Sequence, residues 1–235
     1  MKISLTAGWQ AIATVFTLLA TVNPAVALTL YNGLSTPSQT PSAQGWMYKA
    51  TSILVVPTAT TKGTILDSGD SSNYAGYFLQ PTNVSLNRSI GYTVTFRLQV
   101  NSEAHSSGDR AGFNVILMSN LLTGETRPFG IELGFWEDSI WAQNVGFTRG
   151  ERVSVDTKSQ VKTYKLYVKD KNYQLFVNDK PILTGKLRQY DFTPPPGYPN
   201  PYATPRLIFM GDNTGSARAK VTIVNVEATQ QVIGS

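Results

Sequence analysis

The sequence predicts an all-β fold, a sandwich or jelly roll, and three observations point to it. Apolar and polar residues alternate with a period of two in most segments after residue 28. Turn-forming Gly, Asn, Asp and Ser residues separate these segments at short intervals. No segment after the N-terminal apolar run shows a sustained helical period. Many short strands without helices are typical of two-layered β folds.

The first 27 residues have the pattern of an export signal. Lys2 precedes the apolar run LTAGWQAIATVFTLLATV, and Ala25 and Ala27 give the small-residue pattern of a cleavage site. We expect cleavage after Ala27, which leaves residues 28–235 as one jelly-roll domain. The alternative, a membrane anchor, is disfavoured because the run is short and has no basic stop-transfer flank. The C-terminal EATQQVIGS has no apolar tail, so we expect a secreted or periplasmic protein without a stable membrane span after cleavage.

Composition excludes several kinds of chemistry. The chain has 0 cysteines and 1 histidine, which excludes thiol catalysis, disulfides and cysteine-based or multi-histidine zinc sites. The formal net charge is +5, but no Lys/Arg cluster occurs, so a nucleic-acid partner is not expected. Stability must therefore come from a packed core or a bound metal ion.

The strand pattern can be followed along the chain. In Tyr92–Val100 apolar residues alternate with polar ones, as in a strand with one buried face. Phe113–Met118 is apolar on both faces, which predicts the middle of a sheet. GIELGFW and SIWAQNVGF predict two strands joined by a tight turn, and TYKLYVKDKNYQLFVNDKPIL predicts a meander with turns at 169–172 and at Asn178-Asp179. RLIFMGD and AKVTIVNVEA predict two late strands.

One segment cannot pair into a sheet. DFTPPPGYPNPYATP, Asp191–Pro205, is rich in proline, which lacks the amide donor that a strand needs. A stiff polyproline-like crossing is expected there. It serves either as a lid over a sheet edge or as the wall of a ligand groove.

Several motifs carry a resemblance to a known group of domains. LTLYNG, QGWMY, AGYFLQ, SLNRSIGYTVTFRLQV, EAHSSGDRAGFNVILMS, GIELGFWEDSIWAQ and PYATPRLIFMGDNTGSA occur in this order. Together they resemble the concanavalin A-like, laminin-G-like jelly-roll domains of exported bacterial proteins, whose relatives often carry a PEP-CTERM or similar anchor. The resemblance implies a sandwich of two antiparallel sheets. It implies no single activity, because the superfamily includes lectins, glucanases, polysaccharide lyases and adhesion modules.

The polar faces of the predicted strands suggest a binding trough. If the alternation continues from Tyr92, one face presents a cation, two amides, a carboxylate and an imidazole, namely Arg97, Gln99, Asn101, Glu103 and His105. If the strand that carries Glu132 and Trp136, continued by the strand of Trp141, is a neighbour, all these groups line one surface, and Arg97 or Arg110 can pair with Glu132. Such a set suits a sugar, whose hydroxyls bind polar groups and whose apolar face packs on indole rings. The tryptophans can equally be structural, and His105 can simply cap the Ser-Ser-Gly-Asp turn.

We therefore expect a non-catalytic domain that binds carbohydrate or a surface polymer, in particular a polysaccharide or a cell-surface glycan. The first alternative is a polysaccharide lyase or glycosidase, with His105, Glu132 and Tyr190 as catalytic candidates. Its motifs are absent: Gly134 stands where E-x-D-x-x-E glucanases have an aspartate, and neither R-[TS]-E-L nor Q-[IV]-H occurs. The second alternative is an extracellular structural or adhesion protein without a small ligand.

A structural calcium ion is the one cofactor that the sequence suggests. Asp67 and Asp70 in LDSGDSSN and Asp212 in MGDNTGS supply oxygen ligands of the kind calcium prefers. The resemblance implies such an ion, because jelly rolls of this type often bind one through an aspartate and backbone carbonyls. The alternative is that the three aspartates only form turns.

Overall fold

The structure, a computed structural model, describes residues 27–194, 196–197 and 199–230. It is a sandwich of two antiparallel sheets, so the predicted fold class is confirmed. The predicted signal peptide, residues 1–27, lies outside the described residues except for Ala27. Its cleavage, and the single-domain boundary at residue 28, stay predictions.

Fifteen strands and one short 3₁₀ helix (Pro41–Gln44) make up the described part of the chain. The strands are β1 (Ala27–Asn32), β2 (Met47–Ala50), β3 (Thr58–Thr60), β4 (Gly63–Asp67), β5 (Ala75–Leu79), β6 (Tyr92–His105), β7 (Asn114–Met118), β8 (Gly130–Phe135), β9 (Ser139–Gln143), β10 (Arg149–Ser154), β11 (Lys162–Lys169), β12 (Asn172–Val177), β13 (Lys180–Lys186), β14 (Ile208–Asp212) and β15 (Ala217–Gln230).

The strands divide into two sheets. Sheet A has the order β13-β12-β11-β6-β15-β4-β3, and β1 also pairs with β15. Sheet B has the order β10-β9-β8-β7-β14-β5-β2. The long strands β6 and β15 pair at the centre of sheet A. Among the described residues, no helix is long and apolar enough to cross a membrane.

The predicted meander is confirmed, and its turns show why the sequence forms it. β11, β12 and β13 pair consecutively. Asp170, Asn178 and Asp179 have φ of 53°, 47° and 66°, a conformation that Asn and Asp tolerate better than other side chains. Two successive positive φ values at Asn178 and Asp179 give the turn that matches the twist of a hairpin.

The core lies between the sheets and is built by alternation. In β6, Tyr92, Val94, Phe96, Leu98 and Val100 are all buried, as predicted. Aromatic rings close the gap between the layers: the Phe135 ring of sheet B lies 5.3 Å from Tyr164 and 6.3 Å from Phe96 of sheet A. Edge-to-face contacts of this kind add to the free energy gained by burying the rings.

Sheet B differs from sheet A because both of its faces are covered. Every residue of β7, β8, β9 and β14 is buried. One face packs on the core. The outer face is covered in part by Arg110, whose carbonyl accepts from Trp136 Nε1, and in part by Tyr190 and by Tyr202 of the proline-rich segment; the candidate site lies beside them.

Candidate functional site

A cavity of about 260 Å³ lies on the outer face of sheet B. Its walls are mainly aromatic side chains and prolines: Phe78, Phe147, Phe192, Tyr202, Phe209, Pro194, Pro199 and Pro201. Polar groups interrupt these walls at a few places, chiefly Lys49, Arg110, Glu132, Gln143, Asp212 and Asn213. An apolar cavity with a small number of polar groups is typical of a ligand site.

Strand register explains how these residues come together. Phe78, Phe209, Ile116 and Glu132 are successive cross-strand partners on β5, β14, β7 and β8. Residues in one such row point to the same face of a sheet. Gly76, two residues before Phe78 on β5, leaves room for the Phe209 ring, since a Cβ atom there would lie 2.3 Å from that ring.

Glu132 is the central polar group of the cavity. It is 3% exposed, and its two carboxylate oxygens accept hydrogen bonds from Tyr202 Oη at 2.6 Å and Asn213 Nδ2 at 2.9 Å. Asn114 Nδ2 donates in turn to Asn213 Oδ1 at 2.7 Å. Burial raises the pKa of Glu132, and the bonds from Tyr202 and Asn213 oppose that shift. A carboxyl group with a raised pKa in a cavity is a common feature of functional sites.

The proline-rich segment is one wall of the cavity. Just before it, Tyr190 Oη donates to the Gln143 carbonyl at 2.8 Å and accepts from the Glu132 N–H at 3.1 Å, which fixes the start of the segment to sheet B. The Tyr190 and Tyr202 rings lie 4.7 Å apart, and Phe147 lies 5.5 Å from Tyr202. Of the two roles expected for this segment, the geometry matches the wall of a groove.

Two cations line the cavity without a salt bridge to a described residue, although the charge of Arg110 lowers the pKa of Glu132. Arg110 donates through Nη1 to the carbonyl oxygens of Asp109 and Phe147, and its guanidinium carbon lies 5.9 Å from the Phe147 ring. These contacts fix the guanidinium at one side of the cavity. Lys49 is exposed at the other side and forms no salt bridge with a described residue.

The expected trough does not form as predicted, because its two strands belong to different sheets. Arg97, Gln99 and Asn101 lie on β6 in sheet A, whereas Glu132 lies on β8 in sheet B. Arg97 and Gln99 point outward, as expected, but on the opposite surface of the sandwich from Glu132. Gln99 donates to the Lys158 carbonyl at 2.6 Å, and Asn101 accepts from Thr222 at 2.8 Å.

A β-bulge at Asn101 makes the predicted alternation of β6 wrong beyond Val100. Val100 pairs with Val221 and Ser102 pairs with Lys220, so Asn101 is an extra residue on β6. The parity of the following side chains is therefore reversed. The Glu103 side chain is only 2% exposed instead of solvated.

His105 belongs to a packed cluster at the end of β6, outside the cavity. Its Nδ1 lies 2.9 Å from Glu103 Oε2, and its ring stacks on Trp136 at 4.0 Å with 5° between the planes. Arg149 and Arg152 also lie over Trp136, at 4.7 and 5.3 Å. The catalytic candidates His105, Glu132 and Tyr190 thus do not converge: only the last two are in contact.

The two tryptophans expected to stack on a ligand are covered by the chain's own residues. Trp136 is 8% exposed and donates through Nε1 to the Arg110 carbonyl at 2.8 Å. Trp141 is 0% exposed and packs closely on Gly134, where a Cβ atom would be 2.6 Å from the indole. Both rings build the floor beside the cavity instead of an open stacking platform.

The three aspartates suggested for calcium are not brought together in one group of side chains among the described residues. No group of three or more His, Cys, Asp or Glu side chains that could hold a metal ion occurs among the described residues. Asp67 pairs with Lys220 at 3.5 Å, and Asp70 accepts from the Ser72 N–H in a turn. Asp212 is buried and accepts from the Thr214 N–H, while its Oδ2 has no partner in the described part of the chain. Burial raises the pKa of Asp212 to about 8.

Sequence reasoning missed Tyr202, Asn213, Lys49 and the phenylalanine walls. A signal for them was present in the strands that form the floor. AGYFL, GIELGF and IFMGD each contain a glycine within an apolar strand, which indicates that something approaches the backbone closely. The contacts between loop and strand depend on tertiary structure and have no local pattern.

Comparisons with known proteins show the fold. No family model matches the chain, and no curated protein matches it. Among solved structures it is similar to the conserved carbohydrate esterase of Shiga toxin-encoding bacteriophage phi24B, with 12% identity, a TM-score of 0.59, and 88% of this chain and 100% of that chain covered. It is also similar to a protein of unknown function with a galectin-like fold from Bacillus subtilis, with 9% identity, a TM-score of 0.53, and 91% of this chain and 99% of that chain covered. The carbohydrate recognition domain of Emp46p, in a potassium-bound form, is similar with 12% identity and a TM-score of 0.52, and 87% of this chain and 97% of that chain are covered.

These likenesses agree with the sandwich of two antiparallel sheets that the sequence motifs implied. At such low identity they carry the fold and nothing further, because one fold supports many functions. The relation to PEP-CTERM-anchored proteins stays a prediction.

Proposed function

We propose that the protein binds a saccharide unit of a polysaccharide or cell-surface glycan in the cavity of sheet B, without catalysis. The observation that carries this proposal is the combination of aromatic walls with the Glu132 carboxylate in one cavity of about 260 Å³. A sugar ring presents an apolar face and a rim of hydroxyls, so it matches both kinds of surface. Two similar folds belong to proteins named for carbohydrates, an esterase and a recognition domain.

The size of the cavity limits the ligand. Pockets that enclose drug-sized molecules have volumes of about 300–1,000 Å³. At about 260 Å³, this cavity fits one sugar residue, for example a chain end or a branch, better than an extended stretch of polymer. Each carboxylate oxygen of Glu132 accepts one hydrogen bond within the protein and retains capacity for a ligand hydroxyl.

The electrostatics of the cavity support binding over hydrolysis. Glycoside hydrolysis uses one protonated and one ionised carboxyl group. The cavity is lined by Glu132 and Asp212, and burial shifts the pKa of both in the same direction, so their surroundings do not separate them into an acid and a base. Lyase chemistry through His105 lacks a geometric basis, since that ring lies outside the cavity.

A polysaccharide-degrading enzyme is a second candidate, favoured by the raised pKa of Glu132. A buried carboxyl group of this kind is suited to donate a proton to a leaving group. Release of reducing ends or of unsaturated products from any polymer, abolished in Glu132→Gln, would establish this candidate and refute the non-catalytic proposal.

A matched pair of phenylalanine variants tests saccharide binding. The purified protein is passed over a panel of immobilised glucans, uronans and sulfated polysaccharides, and bound polymers are titrated. Phe192→Ala removes a wall of the cavity, whereas Phe176→Ala removes a similarly half-buried ring from the outer face of sheet A. We expect about tenfold weaker binding for the first and no change for the second. Retention of no polymer, or equal effects of the two variants, would contradict the proposal.

The proposed compartment is the periplasm or the outside of the cell. This rests on the N-terminal pattern of Lys2, apolar run and Ala25-Val26-Ala27. N-terminal sequencing of protein recovered from periplasm and medium should give Leu28 as the first residue. Recovery only from membranes, with residue 1 or 2 still present, would support the anchor instead.

A further inference from the structure

A small apolar tip protrudes from the molecule between β2 and β3. Ile53, Leu54 and Val56 are 94%, 86% and 71% exposed, the highest values among the large exposed hydrophobic side chains of the described residues. Single exposed apolar residues are common, but three in one turn of four residues are not. This group, defined as the apolar tip, has no role in the cavity walls.

The tip is held in shape by hydrogen bonds instead of collapsing onto the protein. Tyr48 Oη donates to the Val55 carbonyl at 2.6 Å, and the Val55 N–H donates to the Ser52 carbonyl at 3.2 Å. The Thr51 N–H donates to the Tyr74 carbonyl at 2.9 Å. Val55 is buried at 7% exposure and anchors the turn, so its neighbours are directed outward.

Charge around the tip identifies the surface that it fits. The segment 47–66 contains Lys49 and Lys62 and no acidic residue. The next acid along the chain, Asp67, is paired with Lys220, and Asp70 lies within the field of Arg218. Lys49, just before the tip, has no salt-bridge partner among the described residues. A convex apolar point beside an unpaired cation complements a soft apolar layer under anionic headgroups.

We propose that the apolar tip inserts into the interface of a lipid bilayer that contains anionic lipids. A protein partner would require a groove that matches three protruding side chains, whereas a bilayer accommodates a convex point without preformed shape. Lys49 and Thr51 line the cavity, so docking through the tip places the mouth of the cavity close to the membrane surface. A glycan bound there would be one presented at that surface.

The lack of cysteine allows a site-specific test in the full chain. Leu54→Cys gives a single thiol for an environment-sensitive fluorophore, because the chain has 0 cysteines. Leu121→Cys is the matched control, because Leu121 is also an exposed leucine, at 43%. It follows the end of β7 at Met118. The apolar tip follows Ala50, which lies in a row with Ala75 and Asp212 at the opposite end of sheet B. With vesicles of phosphatidylcholine and phosphatidylglycerol, we expect increased, blue-shifted emission at position 54 and no change at position 121.

Affinity for vesicles provides the second measurement. Ile53→Ser with Leu54→Ser should weaken sedimentation with these vesicles by about tenfold or more, since burying each of these side chains contributes roughly that factor. Leu121→Ser should have no effect. Weaker binding to vesicles of phosphatidylcholine alone is expected, because Lys49 then lacks an anionic partner.

Two outcomes would overturn the proposal. If the label at position 54 does not respond to either vesicle, the tip does not enter a bilayer, whatever the N-terminal apolar run does. If the label responds to protein concentration without lipid, and ultracentrifugation shows a dimer that Ile53→Ser with Leu54→Ser abolishes, the tip binds a second copy of the chain. Neither outcome bears on saccharide binding, which the Phe192→Ala comparison measures separately.

Discussion

The outer faces of the two sheets use similar residues in opposite ways. On sheet A, Arg97 is exposed and Thr93 and Thr95 are half-exposed, so the face is solvated. On sheet B, Glu132 occupies a comparable mid-strand position but is 3% exposed under a wall of tyrosines and prolines. A charged residue between apolar ones thus marks a wet face in one sheet and a buried site in the other.

Backbone composition separates the two faces. The central strands of sheet A, β6, β11 and β15, contain no glycine, whereas β5, β8 and β14 of sheet B contain Gly76, Gly130, Gly134 and Gly211. At Gly76 and Gly134 an aromatic ring lies so close to the strand that a Cβ atom would be 2.3 and 2.6 Å from it. Glycine inside a strand costs stability, so its presence there indicates a surface that something covers.

The largest expected effect is a pH dependence of the free energy of unfolding that comes from the buried Asp212 at the end of β14. Asp67, at the end of β4, is the half-exposed aspartate used for comparison. Burial raises the pKa of Asp212 to about 8, with the nearby Glu103 adding to the shift. Between the unfolded and the folded pKa, the native protein holds a proton that the unfolded chain releases, so stability falls as pH rises. The loss is up to about 1.4 kcal/mol per pH unit between about pH 4 and pH 8, and it is complete above pH 8.

Urea unfolding at several pH values measures this effect. Asp212→Asn cannot titrate, so its stability relative to the wild type should increase with pH by up to about 4 kcal/mol from about pH 5 to pH 8. Asp67→Asn, at a half-exposed aspartate, controls for the Asp-to-Asn substitution itself. A flat difference for Asp212→Asn would mean that the Oδ2 atom has a partner that keeps the carboxylate ionised.

The second prediction compares the charged residues of the two faces. Glu132→Ala leaves Tyr202 Oη and Asn213 Nδ2 without their acceptor and should lower the free energy of unfolding by about 2–4 kcal/mol. Arg97→Ala, on the solvated face, should change it by less than about 0.5 kcal/mol. Chemical denaturation measures both. Increased stability in Glu132→Ala would contradict this prediction. It would show that the cost of desolvating the carboxylate exceeds the gain from its hydrogen bonds, which is common at binding sites that lower the stability of a protein.

Much of the fold could be predicted from the sequence because period-two patterning and turn chemistry are local. β6 alternates as expected from Tyr92 to Gln99, and the meander β11–β13 turns at the predicted Asn and Asp residues. Pairing between distant strands is not local. Nothing within the β6 segment shows that it lies beside β15 in one sheet while β8 belongs to the other.

The site was predicted only in part for the same reason. Glu132 lines the cavity, and so does Arg110, but the expected companions on β6 lie on the other surface. The bulge at Asn101 then reverses the parity of Glu103 and His105, and a single extra residue of this kind leaves no mark in an alternating pattern. Tyr202 and Asn213 reach Glu132 over separations of 70 and 81 residues, beyond any local pattern.

A glycine substitution tests whether the close packing of an aromatic ring on the backbone of sheet B is required. In Gly134→Ala the new Cβ atom would lie 2.6 Å from the Trp141 indole, which is rigid and fully buried. We expect a loss of about 1–3 kcal/mol in the free energy of unfolding, typical of overpacking. Gly146→Ala, where no atom lies within 4 Å, should be neutral or slightly stabilising. Equal effects of the two variants would show that the indole moves without cost.

The smallest expected effect is at His105, where the two sheets meet. His105→Ala removes the stacking on Trp136 and the hydrogen bond to Glu103, and should cost about 1 kcal/mol because the side chain is 31% exposed. His105→Phe retains the stacking and should recover part of that loss. Saccharide affinity should be unchanged in both variants, because this ring does not line the cavity. Lost saccharide affinity at unchanged stability would instead place His105 in the binding site, together with the residues that line the cavity of sheet B.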